Sequence, residues 1–195
     1  MTPRGESRKQ RQIRARELLL RGDRQQQRGN LASGFRLLLM SAKLGDPSAQ
    51  LNLGYTYDVG IGVRRNRAAA MHWYRRAYRS GVGIAASNLG TIFRDEGSYE
   101  EAARWFRRGV KGGDVDANLE LAKIYLRDAR QKRKAIACLR AILKGTPPIN
   151  LGEDTQREAR RMLHKIETGA QGAEPSRSVR RGARPQGQRV RERRG

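Results

Sequence analysis

One block of sequence recurs at nearly fixed spacing, and this constrains the fold more than any other feature. The segments AQLNLGYTY at 49–57, AASNLGTIF at 85–93 and ANLELAKIY at 117–125 superpose with offsets of 36 and 32 residues. A second block follows each of them: AMHWYRRA at 70–77, AARWFRRG at 102–109 and AIACLRAI at 135–142. Self-similarity at a period in the thirties marks a chain built by stacking supersecondary units, none of which buries its own apolar face alone.

The spacing within the blocks is helical. Leu53, Gly54 and Tyr57 fall at i, i+1 and i+4, and Ala70, Trp73, Tyr74 and Ala77 at i, i+3, i+4 and i+7. That pattern lines one stripe of a 3.6-residue helix, where a strand would need alternation. Gly54, Gly90 and Ala122 let a neighbouring helix approach closely, and Tyr57, Phe93 and Tyr125 fill the wedge beyond. The aromatics therefore read as core, not as a ligand site, and the class is all-α.

The run GIGVRRNRAAAMHWYRRAYRSG at 60–81 resembles the Sel1-like repeat, in which a G-x-G-V loop ends the first helix and a small residue precedes W-Y in the second. The next unit, with Asn88-Leu89-Gly90, Gly97, Tyr99, Glu101-Ala102 and Trp105-Phe106, lacks the four-residue loop insertion and resembles the related tetratricopeptide repeat. The third is a degenerate unit of the tetratricopeptide type, with Pro147 and Pro148 where that family often stops its second helix. A weaker unit precedes them: Gly34 to Asp46 matches a second helix and its exit, with Leu18 to Gly22 in a first helix and Gly29-Asn30 in the turn.

The resemblance implies an α-α superhelix, a short right-handed solenoid of helical hairpins. Its units run at about 13–46, 47–82, 83–114 and 115–148. A capping helix at 149–169 follows, with Ala159, Met162, Leu163 and Ile166 on one face, Asp154 or Thr155 as N-cap and Gly169 as stop. Residues 1–12 are expected to be a basic disordered N-terminus and 170–195 a disordered Arg-rich tail, where Gly, Pro and Ser interrupt eight arginines. The resemblance also implies a partner-binding groove lined by first helices, through Leu51, Tyr55 and Asp58, then Ser87, Thr91 and Arg94, then Leu119, Lys123 and Arg127. The carboxylate clamp of some tetratricopeptide proteins is not expected, because Asp116 and Glu120 stand where it needs cations.

Charge adds a second theme. The chain of 195 residues carries 42 Lys+Arg against 19 Asp+Glu, a net +23, and arginine outnumbers lysine 34 to 8. The excess is +6 in residues 1–30, +11 in 31–170 and +6 in 171–195, so body and tails are both basic. An anionic partner follows from such a balance. The candidate contacts are Arg75, Arg76 and Arg79, then Arg107, Arg108 and Lys111 on successive second helices, and Arg130, Lys132, Arg133 and Lys134 in a turn. A GC-rich genome is the alternative source of the arginine bias.

Catalytic chemistry finds few convergent groups. His72 and His164 sit in different units, and Cys138 is the only cysteine, placed where the repeats carry a core residue, so no disulfide, zinc site, nucleophile or cofactor site is expected. Gly81-Val-Gly83-Ile-Ala-Ala86 spells a dinucleotide fingerprint but lies at a helical repeat junction, not after a strand. A mean hydropathy of −0.82 and apolar runs far short of the ~20 residues a bilayer requires exclude a transmembrane helix. No secretory signal is evident, and a cytoplasmic location is expected. The expected function is a non-enzymatic protein-interaction scaffold or adaptor holding an acidic or amphipathic segment of a protein partner. The alternative is a nucleic-acid or polyanion-binding accessory protein using the basic ridge and tail.

Overall fold

A computed structural model describes residues 6–144 and 153–169 of the chain. In order, the elements are α1 (Arg8–Gln27), α2 (Leu31–Leu44), α3 (Pro47–Val59), α4 (Arg67–Arg79), α5 (Ile84–Asp95), α6 (Tyr99–Lys111), α7 (Ala117–Tyr125), a 3-10 turn (Ala129–Gln131), α8 (Lys132–Leu143) and α9 (Glu153–Thr168). No strand occurs among the described residues. Each helix packs on its neighbours in sequence, giving the hairpins α1/α2, α3/α4, α5/α6 and α7/α8 with α9 against α8. The architecture is the all-α superhelix that the repeats imply. The Arg-rich segment from 170 onward, residues 1–5 and the Pro147–Pro148 stop lie outside the described residues.

Local chemistry sets the helix ends. Asp46 accepts from the Ala49 N–H at 2.7 Å with Pro47 in the first turn, and Asn66 accepts from the Ala69 N–H at 3.0 Å, so side chains satisfy donors that the helix cannot. At the N-terminus this logic corrects the expected boundary: α1 starts at Arg8, inside the stretch read as disordered. The reason is a capping box, with Gln10 N–H donating to Ser7 Oγ at 3.2 Å and Ser7 N–H to Gln10 Oε1 at 2.9 Å. The last helix spans Glu153–Thr168, inside the segment expected to form it, but Asp154 sits in its first turn beside the positive helix end and not at the N-cap.

The seam between first and second helices is built from small against large. A Cβ added to Gly54 would sit 2.5 Å from the Tyr74 ring, and one on Gly90 would sit 2.9 Å from Phe106. Both rings are 1% exposed, and glycine is there because the ring occupies the space a side chain needs. In the last unit Ala122 and Leu139 repeat the pairing, both fully buried. Burying a side chain of this size contributes about 1.5–3 kcal/mol.

One residue in each later second helix reaches back to the preceding unit. Trp73 joins Leu19, Leu38, Ala42, Ala49 and Leu53, Trp105 meets Tyr78 edge-on with centroids 5.7 Å apart, and Cys138 packs on the cluster of Ala102 and Phe106. Tyr57 likewise touches two clusters, as does Tyr125. These residues make one continuous core out of four hairpins.

Candidate partner-binding surface

The nine expected groove residues divide into two sets. Leu51, Ser87 and Leu119 lie three positions before Gly54, Gly90 and Ala122, and residues at i and i+3 share a helix face. They therefore turn with the glycine column into the seam: Ser87 is 8% and Leu119 7% exposed, and Leu51 packs on the cluster that contains Tyr74. Ser87 fills the place opposite Gly109, where a side chain on α6 would collide with it. These three are packing residues and leave the groove.

Tyr55, Asp58, Thr91, Arg94, Lys123 and Arg127 keep some exposure on the first-helix face. The sequence reading missed Val59, one turn beyond Tyr55 on α3. Both are 53% exposed, which makes them the most open large apolar pair on a single first helix.

Charge on this face is internally matched. Arg94 pairs with Glu120 on the next first helix and with Asp95 at 2.9 Å, and Lys123 Nζ lies 3.0 Å from Glu120 and 3.2 Å from Glu158. The chain of pairs links α5, α7 and α9. Partial burial works to lower the pKa of Lys123, but Glu120 and then Glu158 outweigh it and hold the ammonium above its ordinary value. Arg94 is balanced in the same way, with Asp95 and Glu120 overcoming burial. Asp58 pairs with Arg65 at 3.7 Å. Basic character toward the C-terminal end is thus largely neutralised, and Glu120, the residue that argued against a carboxylate clamp, does the neutralising. Arg127 is taken up differently, with its guanidinium 3.8 Å over the Tyr99 ring at the edge of a cleft of about 460 Å³.

The second helices differ. α4 carries Arg67, Arg75, Arg76 and Arg79 and α8 carries Lys132, Arg133, Lys134 and Arg140, with no acidic residue on either. Arg76 and Arg108 stack over Trp73 and Trp105 at 5.0 and 4.4 Å, and Lys134 sits 5.6 Å over Tyr125. Among the described residues, Arg75, Arg79, Arg107, Lys111, Lys132 and Arg133 have no carboxylate within 4.0 Å, whereas Arg130 pairs with Asp128 at 3.1 Å. Position by position, Lys43, Arg79, Lys111 and Lys144 align as one exposed cation at the end of every second helix, where the helix dipole favours it.

Groups that could do chemistry stay apart. No group of three His, Cys, Asp or Glu side chains able to hold a metal occurs among the described residues. His72 lies against Trp73, and His164 is exposed on α9. Cys138 is half-buried between two core clusters, and burial pushes its thiol pKa up, away from the reactive thiolate. No described helix is long and apolar enough to cross a membrane.

The geometry is that of stacked helical hairpins, and comparison with known proteins identifies its family. The Sel1 repeat model matches residues 15–46, 47–82 and 84–114, about half of the chain. This chain belongs to the Sel1-repeat family. The last of those matches includes the unit that resembled a tetratricopeptide repeat, so the shortened loop stays within Sel1 variation.

Among curated relatives, a sel1-like repeat-containing protein, L21, of Acanthamoeba polyphaga mimivirus is 31% identical over 91 residues, covering 47% of this chain and 17% of that protein. The ERAD-associated E3 ubiquitin-protein ligase component HRD3B of Arabidopsis thaliana is 27% identical over 108 residues, covering 54% of this chain and 17% of that protein. The matches thus span less than a fifth of either relative. A Sel1 repeat protein structure from Oxalobacter formigenes shares the fold, with a TM-score of 0.58, 22% identity, and coverage of 88% of this chain and 78% of that one. Sel1-repeat proteins are generally protein-interaction scaffolds.

Proposed function

We propose that this Sel1-repeat chain is a non-enzymatic, cytoplasmic adaptor whose first-helix face holds a segment of a protein partner. The observation that carries the reading is the pair Tyr55 and Val59, half-exposed one turn apart on α3 and followed along the stack by the matched charges of Arg94, Glu120 and Lys123. An apolar anchor at one end and fixed charges at the other suit an amphipathic segment. That an assembly component, HRD3B, is among the relatives agrees with an adaptor role. The test is affinity capture with the full chain and with a Tyr55→Arg/Val59→Glu double variant. Loss of a discrete partner with helicity retained supports the reading, and full retention of every partner by the double variant contradicts it.

A second reading has its own observation. Among the described residues, α4, α6 and α8 carry cations with no carboxylate within 4.0 Å, a basic layer that the first helices α3, α5 and α7 lack, and such a surface attracts nucleic acid or another polyanion. If about six phosphates were contacted, log affinity would fall against log salt with a slope near −5. Partners that vanish on nuclease treatment and, without nuclease, weaken as the salt is raised support this reading; partners indifferent to both count against it.

A further inference from the structure

The open surface at the N-terminal end of the stack carries an inference of its own. A cleft of about 680 Å³ lies on the α1–α2 seam, floored by Leu18, Met40 and Leu44 and rimmed by Arg14, Arg21, Lys43 and Glu17. Arg14 is taken up by Glu6 at 3.3 Å, which leaves Arg21 and Lys43 as the rim cations with no carboxylate within 4.0 Å among the described residues. No other described helix contributes to the cleft. At roughly 100° per residue, Met40 and Leu44 lie on the flank of α2 away from Phe35, which meets Tyr57 of the next unit edge-on at 5.5 Å, and away from Leu39, which packs into the same core. The cleft thus lies on the side of the first described hairpin turned away from the core it shares with the second.

The repeat register shows what is unusual about this end. Where α4 and α6 carry Trp73–Arg76 and Trp105–Arg108, α2 carries Leu37–Met40. The Trp of each pair covers the unit before it, with the Arg stacked on the ring, whereas Met40 is 52% exposed. Ile13 and Leu20, two turns apart on α1, add a further apolar strip at 52% and 45% exposure.

We propose that this end cleft docks an acidic amphipathic helix of a partner protein, its apolar residues on Leu18, Met40 and Leu44 and its carboxylates on Arg21 and Lys43. Charge decides against the other occupants. The chain's own tail brings eight arginines against two glutamates to a basic rim. A second copy stacked end to end would present α9, whose carboxylates Glu153, Asp154, Glu158 and Glu167 are balanced by Arg157, Arg160, Arg161 and Lys165, so it brings no net acidic face to the rim. Acidic residues on an i, i+3, i+4, i+7 apolar frame fit the cleft in both shape and sign.

The test uses the full chain with 13C-methyl methionine and a synthetic helical peptide carrying Leu at i, i+3, i+4 and i+7 and Glu elsewhere. The expected result is a shift of the Met40 methyl with Met71 and Met162 unmoved, roughly tenfold weaker binding by Met40→Glu, and weaker binding also by Lys43→Glu. The exposed Lys43 variant keeps the question open to experiment should Met40→Glu fold poorly. Equal binding of a peptide with Lys in place of Glu, or shifts confined to Met71 and Met162, overturns the proposal. Self-association that depends on Met40 also overturns it, in favour of a second copy.

Discussion

The two ends of the stack solve the same physical problem in opposite ways. Every hairpin in a solenoid leaves an apolar flank for the next, and the terminal flanks must be covered or exposed. At the C-terminal end α9 lies across the last hairpin, burying Ala159 and Leu163 against Leu119, Leu139 and Ile142, while Lys123 grips Glu158. Its outer face is almost wholly polar. At the N-terminal end α1 packs inward through Ala15, Leu18 and Leu19 and leaves Met40, Ile13 and Leu20 in water. One end is therefore a cap and the other a docking surface, and both are made from the same helical unit.

The contrast is sharpest in stability. Leu163→Ala removes a buried contact between α9 and the last hairpin and is expected to cost about 2–5 kcal/mol. Chemical denaturation reads that loss, with hydrogen exchange rising first in α7–α9. Gly54→Ala, in the interior seam, drives a methyl into the Tyr74 ring and is expected to cost about 1–3 kcal/mol by overpacking. A thermal melt of that variant within error of the parent would show that the seam has slack.

Met40→Ser, at the open end, is expected to change stability by less than about 0.5 kcal/mol, as for surface substitutions generally. A loss as large as that of Leu163→Ala would mean that the N-terminal end is covered. The smallest effect belongs to the Lys123 pairs. Because its pKa is raised above the ordinary 10.5, their contribution is complete below that pH and is lost as pH rises through the folded value. Melts of the parent and of Lys123→Met should differ at pH 9 and converge in stronger alkali.

The fold was largely legible because its determinants are local and repeated. Gly54 with Tyr74 and Gly90 with Phe106 are the same small-and-large pairing at the same spacing, and each copy reinforced the reading of the others. The surface was legible only in part. Leu51, Ser87 and Leu119 were placed in the groove by family resemblance, although their i+3 relation to the glycine column already directs them to the seam; that signal was in the sequence. The pairing of Arg94 and Lys123 with Glu120 and Glu158 was not, since it joins three helices and depends on where α9 lands. The start of α1 was missed for a different reason: the Ser7–Gln10 capping box outweighs a segment poor in apolar residues, and composition does not register a cap.

The most direct test of the difference between the ends is the accessibility of the methionine methyls to a soluble paramagnetic probe in the free 195-residue chain. Met40 is half-exposed at the open end, and Met162 is partly buried where α9 packs against the core. The account predicts strong broadening of the Met40 methyl and protection of Met162, with Met71 of the interior also protected. Equal protection of Met40 and Met162, or broadening of Met162 to match Met40, would contradict it.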